Sequence, residues 1–557
     1  MTEARRLADE LTDVLFDVDP LSPTLFGISG HDNTRLADHG DSAWESLRAR
    51  LSDVARRAGE IDLTPLDAED RLTVAVVRQQ AESAIETGDL RSAEFTITDS
   101  FFAPAGELFS LLPMITLPGT AQAQDYLARL EAIPAFLATL ADGHRAGIAS
   151  GRVPVEHLVT KTIAMLDRYL ADPDADPMAQ PAPAEADPAF ESRRQKILAD
   201  TVRPAFAEYR RVLAEEVVAH GRPVDRVGLC WLPEGEQAYR VLAKSHTTTD
   251  RTPAELHQTG KDIIAALAEE YRALGAKVFG TDDLAEVFER LRTDPSLRWA
   301  DGDELINAAR AAISRAEKVA PDWFGRLPSQ GCLVEPVPEA EAPGAALAYY
   351  LSPALDGSRP GTYFANTYQA EKRYRYTAEA TAFHEAVPGH HFQITIAQEL
   401  SDLPLARRLA PLNAYLEGWG LYTERLADEM GLYSDDLSKF GMLALDSMRA
   451  ARLVVDTGLH ALGWSRQQAI DYIMDNSAMG LLEVESEVDR YIAAPGQALS
   501  YMVGRLEINR LRARAEEELG ADFDIRAFHD VVLGSGPLPL NVLDTVVSDW
   551  LTATRAA

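Results

Sequence analysis

The segment Phe383-His384-Glu385-Ala386-Val387-Pro388-Gly389-His390-His391-Phe392 decides how the rest of the chain is read. Three of the twelve histidines fall within eight residues here, beside a glutamate and in an otherwise helix-forming neighbourhood. Neutral imidazoles next to a carboxylate are the groups that bind zinc and activate water on it. The familiar zinc-protease spacing puts two histidines at i and i+4, but the i+4 position after His384 is Pro388. On an undistorted helix the i+6 position is rotated by roughly 240°, so His384 and His390 would face apart. Pro388 removes an intrahelical donor and Gly389 tolerates unusual dihedrals. A Pro-Gly bulge after Val387 can therefore return His390 to the face carrying His384, which makes His390 the favoured ligand. His391, at i+7, is nearly in phase but about two turns away, and reads as a neighbour or substrate contact.

A third ligand is expected on a nearby helix. Glu417, in Leu416-Glu417-Gly418-Trp419-Gly420-Leu421-Tyr422-Thr423-Glu424, lies 27 residues after His390, enough for a helix to finish, turn and pack back. Glu424, seven residues further, shares its face and can orient a ligand imidazole from behind. Glu385 is then the general base that polarises the water.

Outside this segment helical periodicity dominates: Ala4 to Val18, Asp67 to Thr87 and Ala121 to Gly147 repeat apolar residues at three and four, and helices are expected again near Phe190 to His220 and from Thr252 to Leu274. Thr252-Pro253-Ala254-Glu255 reads as a capped helix start. Residues 171–188 carry five prolines and predict an exposed loop. That loop either divides an N-terminal helical region (1–190) from a helical catalytic region (191–557) or is a surface insertion in one continuous body. Strands are expected only at Val227–Leu232, Ala346–Leu351 and Thr362–Ala365. The last two flank a Pro/Gly-rich turn and form a hairpin just before the histidines. The expected fold is mostly α with this small β element.

The 557 residues suffice for one very large core or two to three ordinary ones. Apolar content of 46% and charged content of 25% match a globular protein. A formal charge of −33 disfavours nucleic acid and anionic membrane as partners. Two cysteines, Cys230 and Cys332, without CxxC spacing argue against a disulfide framework or thiolate-bound zinc. With no signal-like or membrane-spanning run, the cytoplasm is the expected compartment.

His384-Glu385-x-x-Pro388-Gly389-His390 and Glu417-Gly418-Trp419-x-x-Tyr422-x-Glu424 resemble blocks of a bacterial family, domain of unknown function 885 (DUF885). So do Val455-Asp456-Thr457-Gly458-Leu459-His460, Glu487-x-x-Arg490-Tyr491 to Pro495-Gly496-Gln497, and Ser500-Tyr501-x-x-Gly504. The resemblance extends from about Leu15 to Pro539. That family is similar to the helical gluzincin metallopeptidases, the group holding carboxypeptidase Taq and thimet oligopeptidase. The resemblance implies a large two-lobed helical body with the hairpin beside a central cleft, and one zinc per chain on His384, His390 and Glu417. It also implies downstream Tyr, His or Arg side chains that stabilise the tetrahedral intermediate or hold a substrate carboxylate. Tyr501 is the candidate for the first role; Arg490 and Arg505 for the second; His460 and His529 are further candidates. The i+4 histidine of ordinary gluzincins is absent, so the ligand geometry is carried over by inference.

The expected activity is hydrolysis of peptide bonds. An edge strand of the hairpin could pair with an extended peptide, with Tyr349, Tyr350, Tyr363 and Asn366 along that wall. The competing readings are an amidohydrolase acting on a small acyl-amino acid or specialised metabolite, and a non-catalytic helical binding protein whose metal is structural or lost.

Overall fold

The computed structural model describes residues 2–338, 342 and 346–556. The chain divides into two compact units, both built mainly of helices. The first comprises Met1–Val241 with the short returns Leu459–Gln467 and Val488–Pro495. Its long central helix, Thr120–Ser150, turns Leu127, Leu130, Ile133 and Leu137 into a core shared with Leu166, Val202 and Phe206. Each such fully buried aliphatic side chain contributes about 1.5–3 kcal/mol.

The proline-rich stretch lies inside this unit and is mostly exposed, as expected, but it is not without structure. It forms two short helical turns, Pro173–Ala175 and Pro177–Ala179, with Met178 buried between them and the core. The Tyr126 hydroxyl donates to the Met178 carbonyl at 2.8 Å, and Asp176 accepts from Tyr169 and pairs with Arg203 at 2.9 Å. The strand expected at Val227–Leu232 is instead a single helical turn, Leu229–Trp231. Its Leu229 N–H donates to the ring of His460, and a Cβ on Gly228 would strike the Leu459 carbonyl. The segment is pressed against a helix end, and among the described residues no strand lies alongside to pair with it.

The second unit comprises Leu242–Gly458, Gln468–Glu487 and Gly496–Ala557. The capped start is present: Thr252 Oγ1 accepts from the Glu255 N–H, and Glu255 accepts in return from the Thr252 N–H. The sheet has three strands, β1 (Leu333–Pro336), β2 (Ala348–Leu351) and β3 (Thr362–Ala365), in the order β1-β3-β2. β2 and β3 form the expected antiparallel hairpin, with Tyr349 opposite Phe364. β1, which was not expected, joins β3 in parallel. It is four residues long and ends in a proline, so nothing in its own sequence marks it.

After the sheet come α1 (Ala378–Glu385), α2 (His390–Glu399), α3 (Asn413–Glu429), α4 (Asp436–His460), α5 (Ser500–Leu519) and α6 (Ile525–Leu533). α3 is buried around most of its circumference, as a helix at the centre of a bundle must be. It lies unusually close to α5, because a Cβ on Gly504 would sit 1.7 Å from the Ala414 carbonyl oxygen and 2.7 Å from Gly418 Cα. Two glycines facing each other thus let the helix bearing Glu417 touch the helix bearing Tyr501.

Candidate metal centre

α1 ends at Glu385 and α2 begins at His390, so Pro388 and Gly389 separate two helices and do not bulge one. The connection is tied down by α3: the Trp419 indole N–H donates to the Pro388 carbonyl at 2.9 Å, and the Thr423 hydroxyl to the Phe383 carbonyl at 3.1 Å. His384, in the last turn of α1, and His390, the first residue of α2, are thereby brought together. Their ring centres lie 4.8 Å apart, with planes at 86°.

Both rings address one carboxylate oxygen. His384 Nε2 is 3.4 Å and His390 Nε2 3.3 Å from Glu417 Oε2. One donor atom from each of the three residues lies within 4.8 Å of the others, so the group could hold a metal ion. Nitrogen and oxygen ligands bound at their usual lengths at the corners of a tetrahedron lie about 3.3 Å apart, which the two measured separations match. Glu417 Oε2 and His390 Nδ1 are buried without a hydrogen-bond partner among the described residues, leaving the carboxylate oxygen uncommitted within the protein. Gly420 makes room for the first ring, since a Cβ there would lie 2.7 Å from His384 Cε1 and 2.8 Å from Nε2.

Behind His384, the Nδ1–H donates to Oε1 of the buried Glu424 at 2.8 Å, which leaves Nε2 for the Glu417 side. Burial alone would lower the His384 pKa, but Glu417 and Glu424 outweigh it and raise the ring to about 10. Burial likewise works against the Glu417 charge, yet the two imidazoles hold it well below the usual carboxylate range. The field at this spot favours positive charge. Glu385 closes α1, and its charge acts on His384 and on the buried Tyr363.

The other expected residues divide sharply. Tyr501, on α5, stacks on His384 with ring centres 6.3 Å apart and planes at 22°. His391 turns away: its Nε2–H donates to the Gln330 carbonyl at 2.9 Å, and its Nδ1 accepts from the Tyr350 hydroxyl at 3.0 Å. Arg505 pairs with the buried Asp446, which also takes Arg425 at 2.6 Å. His529 donates to the Trp323 carbonyl and accepts from the Tyr422 hydroxyl. His460 and Arg490 belong to the first unit. There His460 accepts from the Leu229 N–H and donates to the Tyr491 carbonyl, and the Arg490 guanidinium lies 5.0 Å over the Phe102 ring. Of the residues expected along the hairpin wall, Tyr363 and Asn366 are buried, the latter donating to the carbonyls of Ala342 and Ala346. Tyr350 serves His391, and Tyr349 stacks on Phe364.

A residue without any motif also reaches this group: Arg449 on α4. Its Nη2 lies 4.0 Å from Glu424 Oε1 and its guanidinium carbon 5.6 Å from the Tyr501 ring centre. It is 25 residues from Glu424 in sequence, and only the packing of α4 against the site reveals it.

A family model described as "Bacterial protein of unknown function (DUF885)" matches residues 20–547. No curated protein matches the chain. Among solved structures, the "putative lipoprotein" from Colwellia psychrerythraea superposes with a TM-score of 0.90 at 26% identity, covering 99% of each chain. A "putative lipoprotein of unknown function" from Shewanella oneidensis does so with a TM-score of 0.77 at 18% identity, covering 98% of this chain and 100% of that one. A "putative oligoendopeptidase F" from Bacillus anthracis str. Ames, at 12% identity over 100% and 97% of the two chains, reaches a TM-score of 0.32, too distant to carry an argument.

Proposed function

Because the chain belongs to the DUF885 family, whose description assigns no activity, its function has to be argued from its site, and we propose that it is a metal-dependent hydrolase of peptide (amide) bonds. The observation that carries the reading is the convergence of two imidazole nitrogens on one oxygen of Glu417 at 3.3 and 3.4 Å, with Glu424 behind the first ring. Structural zinc sites are closed by four protein ligands, whereas catalytic ones keep a position open. Among the described residues no fourth His, Cys, Asp or Glu joins the group, which favours the catalytic form. Zinc is the ion this donor set suits first.

A divalent cation held here would polarise a substrate carbonyl and acidify a water. The chain's own residues supply the rest. Glu385, adjacent to a ligand in sequence, accepts the proton of the attacking water and delivers it to the departing nitrogen. Tyr501, held against His384, is the donor we assign to the oxyanion. β2 is an edge strand packed against α1, so an extended peptide adding to it would run beside the site. The reading suits a cytoplasmic or an envelope setting alike, the latter suggested by the lipoprotein description of two structural relatives.

The test is metal analysis together with peptide-hydrolysis assays of wild type and Glu385→Gln. About one divalent ion per chain is expected in both, with turnover in the variant reduced on the order of 10²-fold or more. A variant that keeps its metal and full turnover removes Glu385 from the mechanism. Wild-type protein that binds no divalent ion removes the mechanism altogether.

A further inference from the structure

We propose that Arg449 is a positioning residue for the metal centre, fixing the two side chains that flank His384 and so the direction in which that ring presents Nε2. The inference rests on the metal site proposed above, but not on what substrate is cleaved.

Arg449 is 8% exposed, and its Nε and Nη1 have no hydrogen-bond partner among the described residues. Withdrawing a guanidinium from water is costly unless an anion faces it. The other arginines around it have their own carboxylates: Arg505 with Asp446, Arg425 with Asp446 and Glu270, and Arg452 with Glu487 at 2.6 Å, although Arg452 also lies over the Tyr501 ring at 4.5 Å. Arg449 instead faces Glu424, whose Oε1 is already committed to His384 at 2.8 Å, from a distance of 4.0 Å. On its other side it lies 5.6 Å from the centre of the Tyr501 ring, within the range of a cation–π contact. Tyr501 in turn stacks on His384. One cation therefore adjoins both supports of the ligand ring, the carboxylate behind Nδ1 and the phenol on its face.

The consequence follows from what a ligand imidazole needs. A carboxylate fixes such a ring only when the carboxylate is itself fixed. Oε2 of Glu424 has no hydrogen-bond partner among the described residues, so its orientation depends on the charge facing it. A ligand imidazole is neutral and leaves the full negative charge on Glu424. Arg449 is the cation placed against that charge.

The experiment measures zinc affinity by competition with a chromophoric chelator, in the absence of substrate. Arg449→Met keeps the stem and removes the charge; it should weaken zinc binding by about tenfold or more. Arg449→Lys keeps the charge at a 4.0 Å separation that needs no fork geometry, and should retain most of the affinity. In a Glu424→Gln background the Arg449→Met change should add little, as coupled residues require. Equal affinity of wild type and Arg449→Met, or full additivity with Glu424→Gln, overturns the proposal. If Arg449→Met does not fold, Arg449→Gln replaces it under the same criteria. Wild type that takes up no zinc sinks the proposed function itself, whereas tight wild-type binding unaffected by Arg449→Met sinks this inference alone.

Discussion

Gly420 holds no ligand, yet the site depends on its lacking a side chain. A methyl group there would stand 2.7–2.8 Å from the His384 ring, and that ring is held from behind by Glu424. Gly420→Ala should leave α3 intact, since alanine is the better helix former. It should lower metal affinity at least tenfold by displacing Nε2, as read in the same chelator competition. Full affinity would mean the ring can yield without cost. The adjacent pair His390-His391 makes the opposite point. Sequence spacing left both within conceivable reach of His384, and what separates them is their partners. His391 is claimed by the Gln330 carbonyl and the Tyr350 hydroxyl, 61 and 41 residues away, whereas His390 faces Glu417. Such distant partners leave no trace in local spacing. His391→Gln should therefore retain the metal and lose about 1–3 kcal/mol of stability, visible in equilibrium unfolding. Loss of the metal with stability intact would return His391 to the site.

At the scale of elements, legibility followed how local the cause was. The cap at Thr252 and Glu255 lies within four residues and was readable, as was the β2–β3 hairpin with its Pro/Gly-rich turn. The turn at Leu229–Trp231 has the composition of a strand but packs against the end of α4, and β1 exists only because β3 offers it an edge. The break between α1 and α2 was legible in Pro388-Gly389 as an interruption. Its form, two helices pinned by Trp419 and Thr423, was not. The contact of α3 with α5 belongs to the same class, because Gly418 and Gly504 are 86 residues apart in sequence. Gly504→Ala would place a methyl group 1.7 Å from a backbone carbonyl oxygen that cannot swing aside. We expect a loss of about 1–3 kcal/mol, as overpacking typically costs, seen as a lower denaturant midpoint at unchanged slope. An unchanged midpoint would show that the two helices can part freely.

At the scale of the whole molecule, four buried histidines are shifted in opposite directions, and the difference dictates how they make stability depend on pH. His144, His460 and His529 are buried and engaged with backbone carbonyls, hydroxyls or an N–H. Burial lowers their pKa values to about 4, 4 and 3. In the unfolded chain each titrates near 6.5, so between about pH 6.5 and 4 the unfolded state binds protons that the folded state refuses. Their stabilising contribution is complete above pH 6.5 and is lost as pH falls through that window. His384 behaves oppositely in metal-stripped protein. With its pKa raised to about 10, its contribution is complete below pH 6.5 and is lost as pH rises from there toward 10, so between pH 7 and 5 it offsets the acid limb by only about 1 kcal/mol. Metal-stripped protein should accordingly lose on the order of 2 kcal/mol per buried neutral histidine between pH 7 and 5, above the range where most carboxylates protonate. Equilibrium unfolding at pH 7, 6 and 5 measures the slope, and His144→Gln, which removes one titrating ring from the first unit, should flatten it. A stability independent of pH over this interval would mean that these rings accept protons in place, and that the division between enclosed and ligand-directed histidines does not hold.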